Sequence, residues 1–167
     1  KLAAQNYGVD ASAVHEGLME RERLGPTGFG GGTAIPHCKV DGLDAPAGVF
    51  VRLAKPVDYG AVDDEPVDLA FALFSPVHDG ASHLKALAEV SRMFRDEASC
   101  AQLRGAKDAG ASFALLSPIE ERDAACPQRP QHSMIEPRLA SHIIVSALIR
   151  TAEAQNAFAV VLRKGDR

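Results

Sequence analysis

The sequence predicts an α/β fold in which a mixed β-sheet is flanked by helices. Residues 67–74 form a continuous apolar run, which is typical of a strand buried on both faces. Residues 83–95 place apolar side chains three and four positions apart, which predicts an amphipathic helix. Because further strand-like and helical segments alternate around these two, the chain is expected to form a layered α/β domain.

Two helices are predicted before the first breaker, at residues 2–7 and 11–23. Asp10 is a suitable N-cap for the second helix, because its carboxylate can accept from a free backbone N–H. The Gly25–Pro26 pair ends that helix. Residues 25–33 then form a loop that contains five glycines.

Residues 34–40 are predicted to form a short strand or strand edge, since Pro36 cannot donate to a central ladder. The remaining predicted elements, in order, are a strand at 49–53, its extension after a break at 55–59, a polar turn at 63–65, a loop at 75–82, a helix at 97–107 and a strand or helix remnant at 111–116.

Composition excludes several classes of function. The net charge of −4 and the pI near 5.8 argue against nucleic acid as a main partner, because phosphate backbones require concentrated Lys and Arg. No apolar run is long enough for membrane insertion. Three cysteines at no metal-like spacing suggest neither a disulfide framework nor a zinc site, and a reducing cytoplasm is the expected location. We therefore expect no metal and no cofactor.

The glycine loop and His37 together suggest phosphoryl chemistry. Glycine amides can approach an anion closely, because no Cβ blocks the approach. His37 follows on a segment stiffened by Pro36, and its unperturbed pKa of about 6.5 makes it a nucleophile at neutral pH. Taken alone, the loop fits a surface turn equally well, because no Gly-Lys-Ser/Thr completes a P-loop. A lone histidine is also more often a packed or surface residue.

The string at residues 20–39 resembles a motif of the phosphotransferase-system enzyme IIA family of the fructose, mannitol and nitrogen-regulatory type. In that family an Arg-Glu pair precedes a Ser-Thr-Gly-Ile-Gly-x-Gly loop that runs into Ala-Ile-Pro-His. Here the pair is Arg21–Glu22, the loop spans residues 26–32, and the histidine is His37. The departures from the pattern are Pro26, Phe29, Gly31 and Cys38.

A second histidine strengthens the resemblance, which covers about residues 2–116. The family's His-Leu-Lys-x-Leu-Ala string stands here at residues 83–88. Strings at 56–59, 63–69 and 90–96 are similar to the nitrogen-regulatory branch rather than to sugar-transport members. The resemblance implies a mannitol enzyme IIA-like fold. Complete members carry an N-terminal strand before the residues matched here, so we expect an N-terminally truncated version.

The resemblance implies that His37 is the phosphoacceptor and takes its phosphoryl group from an HPr-like histidine phosphocarrier protein. Arg21 is the candidate residue for binding the phosphate oxygens. The alternative is that Arg21 is a solvated helix residue paired with Glu22 or Glu20. His83 lies near a predicted helix start, where the helix dipole favours a neutral ring that can donate a hydrogen bond to a phosphoryl oxygen or orient His37. The alternative is that His83 is a core histidine bonded to the backbone. The candidate phosphate-binding residues in the loop are Thr27, Gly28 and Gly30. The alternative is that these residues form only a structural turn.

The function implied is that of a histidine phosphocarrier and regulator in the phosphoenolpyruvate-dependent phosphotransferase system, a relay component rather than a turnover enzyme. Its expected targets are regulatory proteins such as a potassium transporter or a sensor kinase. Three alternatives stay open: a sugar-transport enzyme IIA that passes phosphate to a IIB domain, a binding module that is never phosphorylated, and a metal site formed by His37, Cys38 and His83.

The chain is expected to divide into an enzyme IIA-type domain at residues 1–116, a linker or translated spacer at 117–133, and a third segment at 134–167. Proline-rich, polar composition marks the middle segment. The last segment resembles the start of a family of small uncharacterised bacterial proteins, with Met134 where such a protein would begin. It is either a fragment of a second reading frame or a regulatory tail.

Overall fold

A computed structural model describes residues 2–116, 143–146 and 158–164. The helices are α1 (Leu2–Tyr7), α2 (Ala11–Arg23), α3 (Gly80–Arg95), α4 (Glu97–Gly105) and α5 (Ala109–Leu116). The strands are β1 (Gly28–Gly30), β2 (Thr33–Ala34), β3 (His37–Val40), β4 (Ala47–Val57), β5 (Val67–Pro76), β6 (Ile143–Ser146) and β7 (Phe158–Lys164). None of the helices in these ranges is long and apolar enough to cross a membrane.

Strand β5 organises a mixed sheet in the order β1-β2-β5-β4-β7-β6, and β3 also pairs with β5. Strands β2 and β3 run parallel to β5 along one edge, and β4 runs antiparallel along the other. Pro36 separates β2 from β3 because it has no N–H to donate, yet its carbonyl still accepts from Leu73 N at 2.9 Å. The predicted mixed sheet with flanking helices is confirmed.

Helices cover both faces of the sheet, as the apolar run in β5 predicted. On one face, Leu69 of β5 packs in a buried cluster with Val90 and Phe94 of α3 and Leu103 of α4. On the other face, a second buried cluster joins α1 and α2 to the sheet, and its members include Tyr7, Val14, Val40, Val49 and Phe74. Two separate cores therefore fix the positions of α2 and α3 against the central strands.

The structure differs from the predicted elements at several boundaries. The glycine loop contains a small antiparallel hairpin, β1–β2. Helix α3 begins at Gly80, three residues before the predicted start, because the Asp79 carboxylate accepts from Ser82 N at 2.9 Å and caps it. Residues 111–116, which the sequence left open between strand and helix, belong to α5. Strand β4 is continuous, with an irregular register between Arg52 and Val57 near the predicted break.

Two C-terminal strands extend the same sheet. Strand β7 pairs antiparallel with β4, from Ala47 opposite Arg163 to Arg52 opposite Phe158, and β6 pairs antiparallel with β7. The predicted linker at 117–133 and much of the segment 134–167 lie outside the described residues. The division of the chain at residues 116 and 134 therefore stays a prediction.

Candidate functional site

The His37 ring is held by one hydrogen bond at each nitrogen. Its Nδ1 lies 2.8 Å from the Ile35 carbonyl oxygen, which can only accept, so Nδ1 carries the proton. Arg21 Nε–H donates to His37 Nε2 at 2.9 Å. The two contacts together describe a neutral imidazole whose lone pair is on Nε2, where it accepts from Arg21; this is the atom suited to nucleophilic attack.

Arg21 reaches His37 from the last turn of α2. Its Nη1 donates to the carbonyl oxygen of Gly25 at 3.0 Å, so the guanidinium is held at two points. Among the described residues these contacts occupy two of its five N–H groups, and the planar fork leaves the others suited to an anion's oxygens. Arg21 is therefore not paired with Glu22, whose carboxylate contacts Thr27 instead.

His83 lies beside His37, in the first turn of α3. The two ring centroids are 5.5 Å apart and the ring planes are tilted by 43°. Its Nδ1 lies 2.9 Å from the Ser75 hydroxyl at the end of β5. Burial lowers the pKa of His83, and the electrostatic influence of the His37 ring and then of the Lys39 ammonium acts in the same direction. The lowered pKa favours the neutral form of the ring at pH 7.

These side chains open into a cleft of about 430 Å³ on the protein surface. The residues that line it are Gly17, Glu20, Arg21, Leu24, His37, Cys38, Lys39 and His83. Arg21 and Lys39 bring two positive charges to the two histidines, against a single carboxylate from Glu20. The basic side chains of the cleft thus outnumber its acidic ones in a chain whose net charge is −4.

The structure brings three of the six predicted site residues together, namely His37, His83 and Arg21. Thr27, Gly28 and Gly30 do not line this cleft. Thr27 is buried; its N–H donates to Glu22 Oε1 at 2.9 Å and its hydroxyl donates to Glu22 Oε2. Because both polar groups of Thr27 are committed to Glu22, the geometry gives Thr27 an anchoring position rather than a phosphate-facing one.

Two glycines of the loop occupy positions where a side chain would clash or the backbone would be strained. A Cβ at Gly28 would lie 2.7 Å from Ala61 Cα, closer than any side chain can be placed, and Gly30 has φ +102°. Gly31 N donates to Asp63 Oδ2 at 2.8 Å, a bond that lowers the pKa of that carboxyl. The loop is thus fastened to the scaffold along its length.

Cys38 packs its side chain against α2. The thiol is 7% exposed, and burial raises its pKa to about 11, so it is protonated at pH 7. A Cβ at Gly17 would come within 3.2 Å of Cys38 Cβ and 3.4 Å of its Sγ, which shows how closely the helix lies on β3. No group of three or more His, Cys, Asp or Glu residues in the described part of the chain is arranged to hold a metal ion. The geometry therefore gives the metal-site alternative no support.

Two site residues were missed by the sequence analysis, Ser75 and Lys39. Ser75 follows the apolar run at residues 69–74 of β5 and is fully buried, and a buried polar residue is a signal that a hydrogen-bond partner exists. Lys39 stands two residues after His37, so the alternation of a strand places both on one face.

Comparison with known proteins shows which family the chain matches. Residues 1–118 match the family model described as "Phosphoenolpyruvate-dependent sugar phosphotransferase system, EIIA 2". A nitrogen regulatory protein of Bradyrhizobium diazoefficiens is 44% identical over 115 residues, which cover 69% of this chain and 75% of that protein.

Two solved structures are similar in fold. The nitrogen regulatory protein IIA-Ntr of Neisseria meningitidis superposes with a TM-score of 0.65 at 33% identity, covering 69% of this chain and 79% of that one. The IIA mannitol structure from Escherichia coli gives a TM-score of 0.54 at 22% identity, with 69% and 80% covered, and supports the fold alone.

Proposed function

Because the chain belongs to the EIIA 2 family of the phosphoenolpyruvate-dependent sugar phosphotransferase system, we propose that it is a histidine phosphocarrier that accepts a phosphoryl group on His37 Nε2. The observation that carries the proposal is the pair of bonds on the His37 ring. The Ile35 carbonyl fixes the proton on Nδ1, and this leaves the Nε2 lone pair beside the Arg21 guanidinium. His37 Nε2, the proposed nucleophile, is thus in direct contact with the positively charged Arg21 side chain.

The donor in this proposal is the phosphohistidine of an HPr-like carrier protein. The Nε2 lone pair attacks phosphorus as the N–P bond of the donor breaks, so one N–P bond replaces another and the donor imidazole leaves. The proton stays on Nδ1, where the Ile35 carbonyl stabilises the positive charge that develops on the ring. Charge in the loose transition state spreads over three peripheral oxygens, which the protein must neutralise.

Arg21, Lys39 and His83 are suited to that neutralisation. Arg21 exchanges its bond to Nε2 for bonds to phosphoryl oxygens, which guanidinium binds in a fork. Lys39 adds a second positive charge on the same side of β3. His83, kept neutral by burial, contributes one N–H. These side chains act by position and charge, which is the main route to catalysis of phosphoryl transfer.

The role we favour for the phosphorylated chain is regulatory. A phosphoryl group carries between one and two negative charges at neutral pH and would change the surface that a target protein meets. The similarity to a nitrogen regulatory protein over 69% of the chain supports signalling to regulatory partners, such as a potassium transporter or a sensor kinase. The sugar phosphotransferase description of the family keeps a second candidate open, transfer of the phosphoryl group to a IIB domain.

The first prediction concerns the acceptor. After incubation with phosphoenolpyruvate, enzyme I and an HPr-like carrier, intact mass spectrometry should show one acid-labile phosphoryl group on the wild-type chain and none on His37→Ala. His15→Ala is the matched control, because His15 is exposed on α2 and does not line the cleft; it should be phosphorylated normally. Phosphorylation of His37→Ala, or none on folded wild-type chain, would overturn the proposal.

The same preparation distinguishes the two downstream roles. Phosphorylated chain mixed with a fructose-type or mannitol-type IIB domain should keep its phosphoryl group if the chain is regulatory. Rapid loss to IIB, followed by mass spectrometry of both proteins, would favour the sugar-transport role.

A further inference from the structure

We propose that Ser75 is a positioning residue that donates its hydroxyl proton to His83 Nδ1 and so holds His83 in the tautomer with its proton on Nε2. In that form His83 presents an N–H to a phosphoryl group on His37. The proposal rests on the function proposed above, and goes beyond it by assigning a residue outside the cleft.

The position of Ser75 supports this role. Its side chain is 0% exposed, and its hydroxyl lies 2.9 Å from His83 Nδ1. Strand β5 pairs in parallel register with β3, so that Leu73 lies opposite His37 and Ser75 opposite Lys39. The strand that carries His37 and the strand that carries Ser75 are therefore neighbours, so the sheet fixes Ser75 relative to His37, and the contact between Ser75 and His83 extends this arrangement to the second ring.

The direction of the Ser75–His83 bond decides what His83 can do. A neutral imidazole has one N–H and one lone pair. Ser75 is fully buried while His83 is half-buried and lines the cleft, so Nδ1 is the inner nitrogen and Nε2 the outer one. If Nδ1 donated to Ser75, the Nε2 lone pair would face the phosphoryl oxygens and repel them. With Ser75 as the donor, the outer nitrogen carries the proton and attracts them.

His37 and His83 then have opposite tautomers, because their Nδ1 atoms have different partners. The Ile35 carbonyl can only accept, which gives His37 a nucleophilic Nε2. The Ser75 hydroxyl can donate, which gives His83 a hydrogen-bond donor at the same atom. One ring is thereby prepared to receive the phosphoryl group and the other to bind its oxygens.

The test combines ¹⁵N NMR of the histidine rings with the rate of phosphorylation by the HPr-like carrier. Wild-type His83 should show the proton on Nε2. Ser75→Ala should lose this single tautomer, slow phosphorylation roughly tenfold through loss of an oriented donor, and speed hydrolysis of phospho-His37. Ser75→Thr, which keeps the hydroxyl, should restore the tautomer and the rate.

Ser112→Ala is the matched control. Ser112 is 1% exposed, and its hydroxyl has no hydrogen-bond partner among the described residues. Removing it changes buried volume and polarity as Ser75→Ala does, so it should leave the tautomer and the rate unaltered. A Ser75→Ala chain that matches Ser112→Ala in both readouts would overturn the proposal.

If Ser75→Ala fails to fold, the ¹⁵N spectrum of the wild-type chain still tests the role of Ser75. A chain phosphorylated on His37 whose His83 carries its proton on Nδ1 overturns the role of Ser75 and leaves the proposed function intact. A chain that shows the Nε2–H tautomer but accepts no phosphoryl group overturns the proposed function instead.

Discussion

At the scale of single residues, the neutrality of His83 has a consequence for stability. Its pKa is lowered in the folded chain, chiefly by burial, so the unfolded chain binds more protons between the folded pKa and about 6.5. The free energy of unfolding therefore rises with pH across that window, and the stabilising contribution is lost as pH falls through the folded pKa.

We predict that His83→Gln removes part of this pH dependence, because glutamine does not titrate. Urea unfolding at about pH 7.5 and about pH 5.5 should show a larger acid-induced loss for the wild-type chain than for His83→Gln. His15→Gln, at an exposed histidine of α2, should behave as the wild type. Equal pH dependence of the wild type and His83→Gln would contradict the prediction.

The sequence was informative about individual residues where their chemistry is local. His37, His83 and Arg21 were predicted from ring nucleophilicity, guanidinium geometry and the resemblance, and the structure places them around one cleft. Ser75 was not predicted, because its role depends on the register between β3 and β5. Thr27 was predicted as a candidate phosphate-binding residue, with a purely structural turn as the alternative, and its partner Glu22 comes from the preceding helix.

At the scale of elements, α2 is joined to the glycine loop through Glu22. This carboxylate accepts from both the amide and the hydroxyl of Thr27, and Tyr59 Oη lies 3.4 Å from Glu22 Oε2. Because Glu22 follows Arg21 directly, the contact also fixes the helix end that delivers the guanidinium to His37.

We predict that Thr27→Val lowers the free energy of unfolding by about 1–3 kcal/mol, since it leaves Glu22 Oε2 with only the longer contact to Tyr59 Oη. Thr27→Ser is the matched variant and should retain most of the stability. Denaturant unfolding measures the difference. If Thr27→Val instead slowed phosphorylation with unchanged stability, Thr27 would act on phosphate, as the sequence suggested.

Elements with long periodic patterns were easier to predict than short ones. Helix α3 and strand β5 each bury a continuous set of apolar side chains, which is visible in the sequence. The hairpin β1–β2 was predicted as loop, because β2 has only two residues and exists through its pairing with β5. Such a strand has no periodicity of its own.

At the scale of the whole molecule, β7 covers the outer edge of β4. Six successive residue pairs join the two strands, from Ala47 to Arg52. An uncovered edge of this kind presents unpaired N–H and C=O groups that can pair with another chain. This arrangement makes β6 and β7 part of the same sheet as β4 and β5.

We predict that deletion of residues 117–167 lowers the free energy of unfolding and promotes self-association, because the edge of β4 becomes available. Light scattering after size-exclusion chromatography, together with urea unfolding, measures both effects. An equally stable, monodisperse shortened chain would contradict this prediction and would show that residues 1–116 do not need the later strands.

The close approach of Gly17 to Cys38 links a position in the helix to the reactivity of the site. Gly17 and Arg21 are one turn apart, so they share a face of α2. A side chain at position 17 would push this face away from β3, and the guanidinium would retreat from His37 Nε2 with it. The side-chain volumes at positions 17 and 38 are therefore coupled. Among relatives of this chain, a larger side chain at one position should accompany a smaller one at the other, because the arginine must stay within hydrogen-bond distance of the histidine.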